Sequence, residues 1–148
     1  IDGGKKLVVF ARFIPEVDAI IRMAEKLFEK TDLKVVSIQG SVKKELRGDI
    51  IEQFQKDKNT MLIVGQIDTL GVGVTLTAAD TCVYYSKTYN FATYEQSLSR
   101  IHRIGQRNVC TYIDLMVDDS VDERITHALR KKEELAANIV DNWREFFK

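Results

Sequence analysis

The chain has 148 residues, of which 45% are hydrophobic and 30% are charged, and its 22 basic and 22 acidic residues cancel. A chain of this length and composition is typical of one globular domain with a substantial core. The zero net charge excludes binding of a polyanion through the charge of the chain as a whole, so any basic surface must be local. No signal peptide and no apolar run long enough to cross a bilayer is visible, so we expect no membrane partner.

Two further features of the sequence bear on its context. Cys82 and Cys110 lie in apolar runs without metal-binding or redox spacing, and we expect both to be buried. We expect no metal-ligating residue in this chain. The sequence begins with Ile1 rather than methionine, which predicts a piece of a longer protein.

The hydrophobic pattern alternates short apolar runs with stretches of helical period. The apolar runs predict five strands, at residues 6–11, 33–38, 60–64, 81–85 and 109–117. The periodic stretches predict helices at residues 15–30, 42–56 and 91–104, and a long final helix from residue 120 to residue 143 or beyond. A glycine-containing loop at residues 65–73 precedes the fourth strand. Ser120 and Glu123 are placed to cap the final helix.

Strands that alternate with helices predict an α/β fold in which a mostly parallel sheet carries helices on both faces. Such folds bind ligands beyond the carboxyl ends of their strands, so we expect the loop containing Gly71 and the loop before Phe91 to meet at that edge. We divide the chain into a main domain at residues 1–119 and a helical extension at residues 120–148. The aromatic residues at 143–147 would pack on the core, on a partner or on an absent neighbour.

The segment at residues 94–106 is the most informative part of the sequence. If residues 91–104 form a helix, Gln96, Arg100 and Arg103 lie on one polar stripe of it. A guanidinium group is always charged and carries forked donors that match phosphate oxygens. Two such groups side by side on a packed helix predict a site for an oxygen-rich anion, above all phosphate.

Five segments of the sequence occur in an order and at distances that resemble those of a known family. They are Val8-Val9-Phe10, Ile38-Gln39-Gly40-Ser41, Gly71-Val72-Gly73-Val74-Thr75-Leu76-Thr77-Ala78-Ala79-Asp80, Arg100-Ile101-His102-Arg103-Ile104-Gly105-Gln106, and Asp122-Glu123 with the following Lys131 and Lys132. In that order they resemble the fourth motif, the segment after it, the fifth motif, the sixth motif and the brace of the carboxyl-terminal RecA-like lobe of superfamily-two helicases. Within that superfamily the chain is similar to the Swi/Snf-like DNA-dependent ATPases, and its stretch at residues 84–90 resembles bacterial and phage variants.

The resemblance implies a three-layer RecA-like fold, similar to P-loop NTPases, that forms half of an enzyme. ATP and Mg²⁺ would be bound mainly by the amino-terminal RecA-like lobe of the same parent chain. Gly3-Gly4-Lys5-Lys6 lacks the glycine spacing and the following Ser or Thr of a phosphate-binding loop, so this chain alone is expected to be inactive. The parent would be an ATP-hydrolysing helicase or translocase that acts on DNA, with RNA left open. It would be cytoplasmic if bacterial or phage-encoded, and nuclear if eukaryotic.

The resemblance also implies roles for particular residues. Arg100 and Arg103 would be arginine fingers for the γ-phosphate, with structural salt bridges as the alternative. Gln96 would orient water, bond the fingers or cap a neighbouring loop. Gly71 and Gly73 would join the two arginines in the ATP site, although a plain loop also uses glycines. The nucleic-acid track would be lined by Arg12, Gln39, Gly40, Thr75, Thr77, Lys87 and Asn90, with an ordinary surface charge as the alternative for the two basic residues.

The sequence departs from the family pattern at several positions, which favour a second hypothesis. Leu70 stands where a glycine is usual, Gln66 where a Ser or Thr often sits, and Thr75 where asparagine is common, while Ser86 lies within an altered stretch. The alternative is a non-catalytic, degenerate RecA-like module that docks protein or nucleic acid. A phosphate-binding loop and an acidic motif upstream in the parent would favour the motor. We expect Gln106 to make a polar contact to the preceding glycine loop in either case.

Overall fold

The computed structural model describes residues 4–71 and 73–146, and it describes side chains as far as residue 139. Within these residues five strands alternate with helices along the chain. The strands are β1 (Lys6–Ala11), β2 (Lys34–Ile38), β3 (Thr60–Gln66), β4 (Ala79–Tyr84) and β5 (Thr111–Asp114). The helices are α1 (Ile14–Phe28), α2 (Lys44–Lys56), α3 (Ile67–Leu70), α4 (Phe91–Leu98) and α5 (Val121–Phe146).

The five strands form one parallel sheet in the order β2-β3-β1-β4-β5. β1 and β3 lie side by side near its centre, with Leu7 opposite Leu62 and Ala11 opposite Gln66. β3 is buried along nearly its whole length, as expected for a parallel strand that is covered on both faces. The predicted α/β fold with a mostly parallel sheet is therefore confirmed.

Two apolar cores cover opposite faces of the sheet, because successive strand residues point to opposite sides. On one face, Val9 and Ala11 of β1 pack with Val17 and Ala24 of α1. The other face is covered by α2, α3, α4 and the segments next to them, and its buried residues include Val8, Phe10, Ile38, Phe54, Ile63, Ile67, Leu70, Leu76, Tyr84 and Ile101. Helices on both faces of the sheet give the predicted three layers.

The predicted helix at residues 91–104 is wrong at its end, because α4 stops at Leu98. The Ser99 hydroxyl and the Arg100 Nε both donate to the Gln96 carbonyl, each at 2.7 Å. A further helical turn would need that carbonyl as an acceptor for a backbone N–H. Both arginines of the predicted stripe therefore lie in turns beyond the helix.

The fifth strand is also shorter than predicted, with four residues in place of the range 109–117. Val109 and Val117 belong to the apolar run but are 89% and 66% exposed. The predicted loop at residues 65–73 contains the short helix α3. The other predicted elements agree with the structure to within two residues at each end.

Helix α5 starts at the predicted place. The Asp122 N–H donates to the Ser120 hydroxyl at 3.1 Å, which confirms the part of the predicted cap that Ser120 supplies. Ile125 and Leu129 are buried beneath the helix, each 2% exposed. The side chains at residues 143–147, for which packing was predicted, lie outside the described residues.

The cysteines differ in their burial. Cys82 is fully buried in β4, as predicted, whereas Cys110 is only half-buried, and both are free thiols. Burial raises the pKa of both thiols. In the part of the chain that the structure describes, no helix combines the length and the apolar character needed to cross a membrane.

Candidate functional site

Residues 99–110 carry both arginines and link α4 to β5, and we call them the arginine loop. Gln106 anchors this loop to the rest of the fold. Its side-chain amide donates to the carbonyls of Thr77, Ala79 and Ile101, at 3.3, 2.7 and 3.2 Å. Gln106 therefore makes a polar contact, as predicted, but its partners lie at residues 77, 79 and 101 and not in the glycine loop at residues 65–73.

The arginine loop lies at the amino ends of β4 and β5, because it bonds the first residue of β4 and leads into β5. The segment at residues 71–78 starts near the carboxyl end of β3 and runs back to that same amino edge. The Leu76 N–H donates to the Arg100 carbonyl at 2.9 Å, which joins the two segments. The prediction of a site at the carboxyl edge is therefore wrong for the two arginines.

Arg100 is buried, with 8% of its surface exposed. Its Nε bonds the Gln96 carbonyl at 2.7 Å, and its other two nitrogens bond the Val74 carbonyl at 3.0 Å and the Ser99 hydroxyl at 3.1 Å. All three acceptors are neutral. Burial, followed by repulsion from Arg103, lowers the pKa of Arg100, but a guanidinium stays charged at any physiological pH.

Arg103 differs from Arg100 because it is exposed. One of its terminal nitrogens donates to the Thr75 hydroxyl at 3.1 Å. Its remaining N–H groups make no hydrogen bond within the described residues. The structure thus holds Arg103 at one point and leaves most of its donors open to solvent.

Neither arginine forms a salt bridge within the described part of the chain. Asp80, a buried carboxylate at the start of β4, pairs with Lys5 at 3.5 Å and accepts from the Asn108 amide at 3.0 Å. Within the described residues neither arginine pairs with a carboxylate, so the alternative that both form structural salt bridges is excluded there.

The other residues predicted for the ATP site have structural partners. Gln96 meets Arg100 through its backbone carbonyl, whereas its side chain is exposed and does not bond the arginines. A Cβ at Gly71 would lie 2.2 Å from the Ile67 carbonyl oxygen, so this glycine is required by packing. Gly73 has a φ of +73°, a left-handed conformation that favours glycine.

Arg12, Gln39 and Gly40, which were predicted to touch nucleic acid, lie at the opposite, carboxyl edge of the sheet, directly after β1 and β2. Gln66 joins two of them, since its Oε1 accepts from the Gly40 N–H at 3.0 Å and its Nε2 donates to the Arg12 carbonyl at 3.4 Å. The Gln39 amide donates to the Asp18 carboxylate at 2.7 Å. The three predicted residues are therefore brought together.

Ser86 completes this cluster. The Arg12 N–H donates to the Ser86 hydroxyl at 2.7 Å, and that hydroxyl donates to the Glu16 carboxylate at 2.6 Å. We call the whole set the carboxyl-edge network, which comprises Arg12, Glu16, Asp18, Gln39, Gly40, Gln66 and Ser86. Sequence reasoning treated Gln66 and Ser86 only as departures, although their positions at the ends of β3 and β4 place them at this edge.

The remaining residues of the predicted track do not join that network. The Thr75 hydroxyl accepts from Arg103, and the Thr77 hydroxyl accepts from the Gln55 amide at 3.3 Å, so both lie beside the arginine loop. Asn90 caps α4, with its side-chain oxygen accepting a first-turn N–H at 3.2 Å. The predicted track is thus divided between two edges of the sheet.

Lys87 is the residue whose placement departs furthest from expectation. It is 6% exposed, so the alternative of a surface lysine is wrong. Its ammonium lies 2.7 Å from the Asp114 carboxylate at the end of β5. A contact from Lys87 to a phosphate would require this internal pair to open.

The donors beside the arginine loop suit phosphate oxygens, because guanidinium and hydroxyl groups both donate to anions. Across residues 4–71 and 73–139, no group of three or more His, Cys, Asp or Glu side chains is placed to bind a metal ion. The donor set therefore fits the anionic end of a nucleotide and does not fit Mg²⁺.

Residues 1–105 match the family model described as the helicase conserved C-terminal domain. The chain belongs to this family. The matched range includes the fifth-motif segment and both arginines, and it ends one residue before Gln106. The predicted resemblance to the carboxyl-terminal lobe of a superfamily-two helicase is thereby confirmed.

Curated relatives of this helicase C-terminal domain include bacterial and fungal proteins. An uncharacterized ATP-dependent helicase of Mycoplasma pneumoniae is 26% identical over 99% of the chain, and the ATP-dependent helicase fft2 of Schizosaccharomyces pombe is 28% identical over 84%. The chromatin-remodeling ATPase INO80 of Emericella nidulans is 27% identical over 93%. The chain spans 14%, 9% and 8% of the length of these three relatives.

A solved structure supports the same family. The crystal structure of the C-terminal part of the Fun30 ATPase domain superposes with a TM-score of 0.73 at 26% sequence identity, covering 86% of this chain and 40% of that one. This likeness confirms the RecA-like architecture and the similarity to Swi/Snf-like ATPases. Both bacterial helicases and fungal remodelling ATPases match at similar identity, so they do not separate the bacterial and phage variants from the remodellers.

Proposed function

We propose that this chain is the C-terminal motor lobe of an ATP-dependent nucleic-acid translocase or helicase, and that it supplies Arg103 to a nucleotide held by the other lobe. One observation carries the proposal: two adjacent guanidinium groups are bonded only to neutral oxygen atoms. A pair of like charges without a counter-charge is stabilised when an anion arrives from outside. The relatives named as ATP-dependent helicases make the phosphates of ATP the natural candidate.

The two arginines have different parts in this proposal. Arg103 acts as the finger because its free donors reach solvent. Arg100 holds the Val74 carbonyl and so keeps the arginine loop against the segment that bears Thr75. As phosphoryl transfer spreads negative charge over the γ-phosphate oxygens, a fixed cation there stabilises the transition state.

The nucleotide and its Mg²⁺ belong mainly to the amino-terminal lobe of the parent, since this chain lacks a phosphate-binding loop and a carboxylate cage in its described part. Mg²⁺ held there would supply positive charge that offsets the negative charge of the phosphates. We therefore expect the isolated chain to hydrolyse no ATP. A calorimetric titration that gives micromolar ATP affinity for the isolated chain would contradict this assignment.

The nucleic-acid track of the proposed motor uses phosphate and sugar contacts, so little sequence specificity is expected. The residues assigned to it are Arg12, Gln39, Gly40, Thr75, Thr77 and Asn90, and the paired Lys87 is left out. DNA is the proposed substrate because the family resemblance is to DNA-dependent ATPases. Helix α5 is the proposed extension beyond the RecA-like lobe at residues 1–119.

The decisive experiment measures nucleic-acid-stimulated ATP hydrolysis by the full-length parent carrying Arg103→Ala. We expect turnover to fall roughly a thousandfold, the usual contribution of an arginine finger. Arg22→Ala is the matched control, because Arg22 is an exposed arginine on the outer side of α1. Turnover equal to that of the control would remove the motor and favour the alternative of a non-catalytic docking module.

A further inference from the structure

The ammonium of Lys87 lies where three elements of the lobe meet. Lys87 belongs to the segment between β4 and α4, and its Nζ is 2.7 Å from the Asp114 carboxylate at the end of β5. The Thr126 hydroxyl of α5 lies 3.5 Å from the same atom. A cation that is 6% exposed needs such partners, because an unpaired buried charge costs several kcal/mol.

Two tyrosine rings fix the ammonium of Lys87 from the side of the core. Its Nζ lies 5.3 Å from the ring centre of Tyr94 in α4 and 6.0 Å from that of Tyr84 in β4. The Tyr84 hydroxyl bonds the Ser97 hydroxyl at 2.7 Å, and Ser97 in turn donates to the Tyr94 carbonyl at 2.6 Å. Lys87 is thus packed against the same two rings that hold α4 on the sheet.

Helix α4 connects this position to the arginine loop. It has only eight residues, begins just after Asn90 and ends just before Ser99. Its last turn holds Arg100 directly, through the Gln96 carbonyl to the side chain and through the Ser97 carbonyl to the backbone N–H at 3.1 Å. The Asn90 cap at its start and the bonds to Arg100 at its end thus attach one short helix to both positions.

Helix α5 contacts the start of that link at two points. Thr126 faces Lys87, and the Lys132 ammonium donates to the Tyr89 carbonyl at 2.8 Å, immediately before the Asn90 cap. Ile125 and Leu129 bury the intervening face of α5. Helix α5 therefore contacts residues 87 and 89, which immediately precede the start of α4.

We propose that Lys87 is a positioning residue that couples the placement of helix α5 to the placement of Arg100 and Arg103. This inference rests on the proposed motor function and names a residue through which that function is controlled. Lys87 touches no nucleotide in this scheme, and it acts by keeping α4, β5 and α5 in one arrangement. The coupling is expected to affect the transition state, where arginine placement matters, more than the binding of ATP.

The first test uses exposed lysines of α5 in the full-length parent, so that folding is not at risk. Lys132→Met removes the bond to the Tyr89 carbonyl, whereas Lys131→Met removes a neighbouring exposed lysine that makes no hydrogen bond or ion pair in the described residues. We expect Lys132→Met to lower kcat for nucleic-acid-stimulated hydrolysis about threefold, a typical hydrogen-bond contribution, with KM for ATP unchanged. Lys132→Arg keeps a donor and should restore kcat.

The second test replaces the buried cation itself. Lys87→Met preserves the length and apolar stem of the side chain, and Asp114 is 30% exposed, so water can solvate the remaining carboxylate. We expect kcat to fall roughly tenfold with KM for ATP within about twofold, since a slightly displaced catalytic group has a large kinetic effect. Melting temperature is recorded for each variant, and kcat is measured well below it.

The outcomes separate this inference from the proposed function. If Arg103→Ala keeps full turnover in the same assay, the motor function itself is wrong. If Arg103→Ala is inactive but either Lys132→Met or folded Lys87→Met keeps the kcat of Lys131→Met, only the coupling is overturned. A fall in kcat that Lys132→Arg does not rescue also overturns it, because the hydrogen bond would then not be the cause.

Discussion

In the carboxyl-edge network each of several polar side chains meets a complementary partner, and carboxylates accept two of the bonds. In the arginine loop the two cations bond only carbonyls and hydroxyls. The carboxylates of the first region bond neutral donors, and that region contains charges of both signs. In the second region two like charges lie together, and no carboxylate of the described residues forms an ion pair with either. A closed network fixes backbone segments, whereas two cations without an ion-pair partner in the described residues have donors that suit an anion, as the proposed function requires.

The polar residues of the two regions also differ in what they bond. Gln66 and Ser86 bond backbone groups on either side of Arg12, so their value is in shaping the end of β1. The Arg103 side chain makes one hydrogen bond, to the Thr75 hydroxyl. One such bond is a small contribution to stability, so a structural role alone does not account for an arginine at this position. We expect single substitutions in the two regions to change the free energy of unfolding by different amounts.

The largest expected effect on stability is at the glycine that brings residues 71–78 close to α4. In Gly71→Ala the new Cβ would lie 2.2 Å from the Ile67 carbonyl oxygen, and the backbone must shift. We expect urea unfolding to show a loss of about 3 kcal/mol. Gly48→Ala is the control, because Gly48 lies in α2 with open space around it, and it should gain up to about 1 kcal/mol. Equal stability of the two variants would contradict the packing described here.

The two arginines should differ sharply in their effect on unfolding. Arg100→Met leaves the partly buried Val74 carbonyl without its donor and removes one of the donors to the Gln96 carbonyl, which costs about 2 kcal/mol. Arg103→Met removes an exposed side chain and should change stability by less than about 0.5 kcal/mol. Chemical denaturation of both variants checks this difference. A loss at Arg103 as large as that at Arg100 would mean that both arginines are structural.

The carboxyl-edge network should show a smaller effect. Gln66→Ala removes two hydrogen bonds, from the Gly40 N–H and to the Arg12 carbonyl, and we expect a loss of about 1 kcal/mol. Gln96→Ala is a matched control because that side chain is exposed and makes no bond in the described residues. Hydrogen exchange of the Gly40 amide provides the local readout. Unchanged protection of that amide would remove Gln66 from the network.

We expect the smallest effect for Asp80, at the start of β4 beside the arginine loop, where a substitution changes how stability depends on pH in acid. Burial acts to raise the pKa of Asp80, but the bond from Thr81, the charge of Lys5 and the bond from Asn108 together lower it. A lowered native pKa means that this stabilisation is complete above about pH 4, the unfolded value, and is lost as the pH falls below it. In Asp80→Asn the stability should therefore depend less on pH below about pH 4. An unchanged acid-unfolding profile would show that the carboxylate contributes nothing.

Much of the architecture was predictable because it follows from local pattern. The strand at residues 6–11 agrees with the structure at both ends, since its apolar run is bounded by polar residues. Arg47 in α2 is an example of a local contact, because its Nε bonds the Val42 carbonyl at 2.9 Å. In these cases the deciding interactions are with residues close in sequence or with the strand that the residue adjoins.

The errors arise where distant contacts override the local pattern. Ile101 keeps the helical period beyond Leu98, but the Leu76 N–H bonds the Arg100 carbonyl and ends the helix instead. Lys87 was expected at the surface because its partner Asp114 is 27 residues away and offers no local signal. The edge of the sheet at which the arginines lie depends on the path of residues 71–78, which composition does not specify.

The buried thiol of Cys82 has a practical consequence for measuring the motion of this lobe. Thiol-reactive dyes attack the thiolate, and burial keeps Cys82 protonated and out of reach. With Cys110 changed to serine, a cysteine placed at the exposed position of Lys131 would be the one site in the described residues that accepts a label. Under the proposed function, fluorescence transfer from that label to a second one on the other lobe would report opening and closing of the motor during turnover.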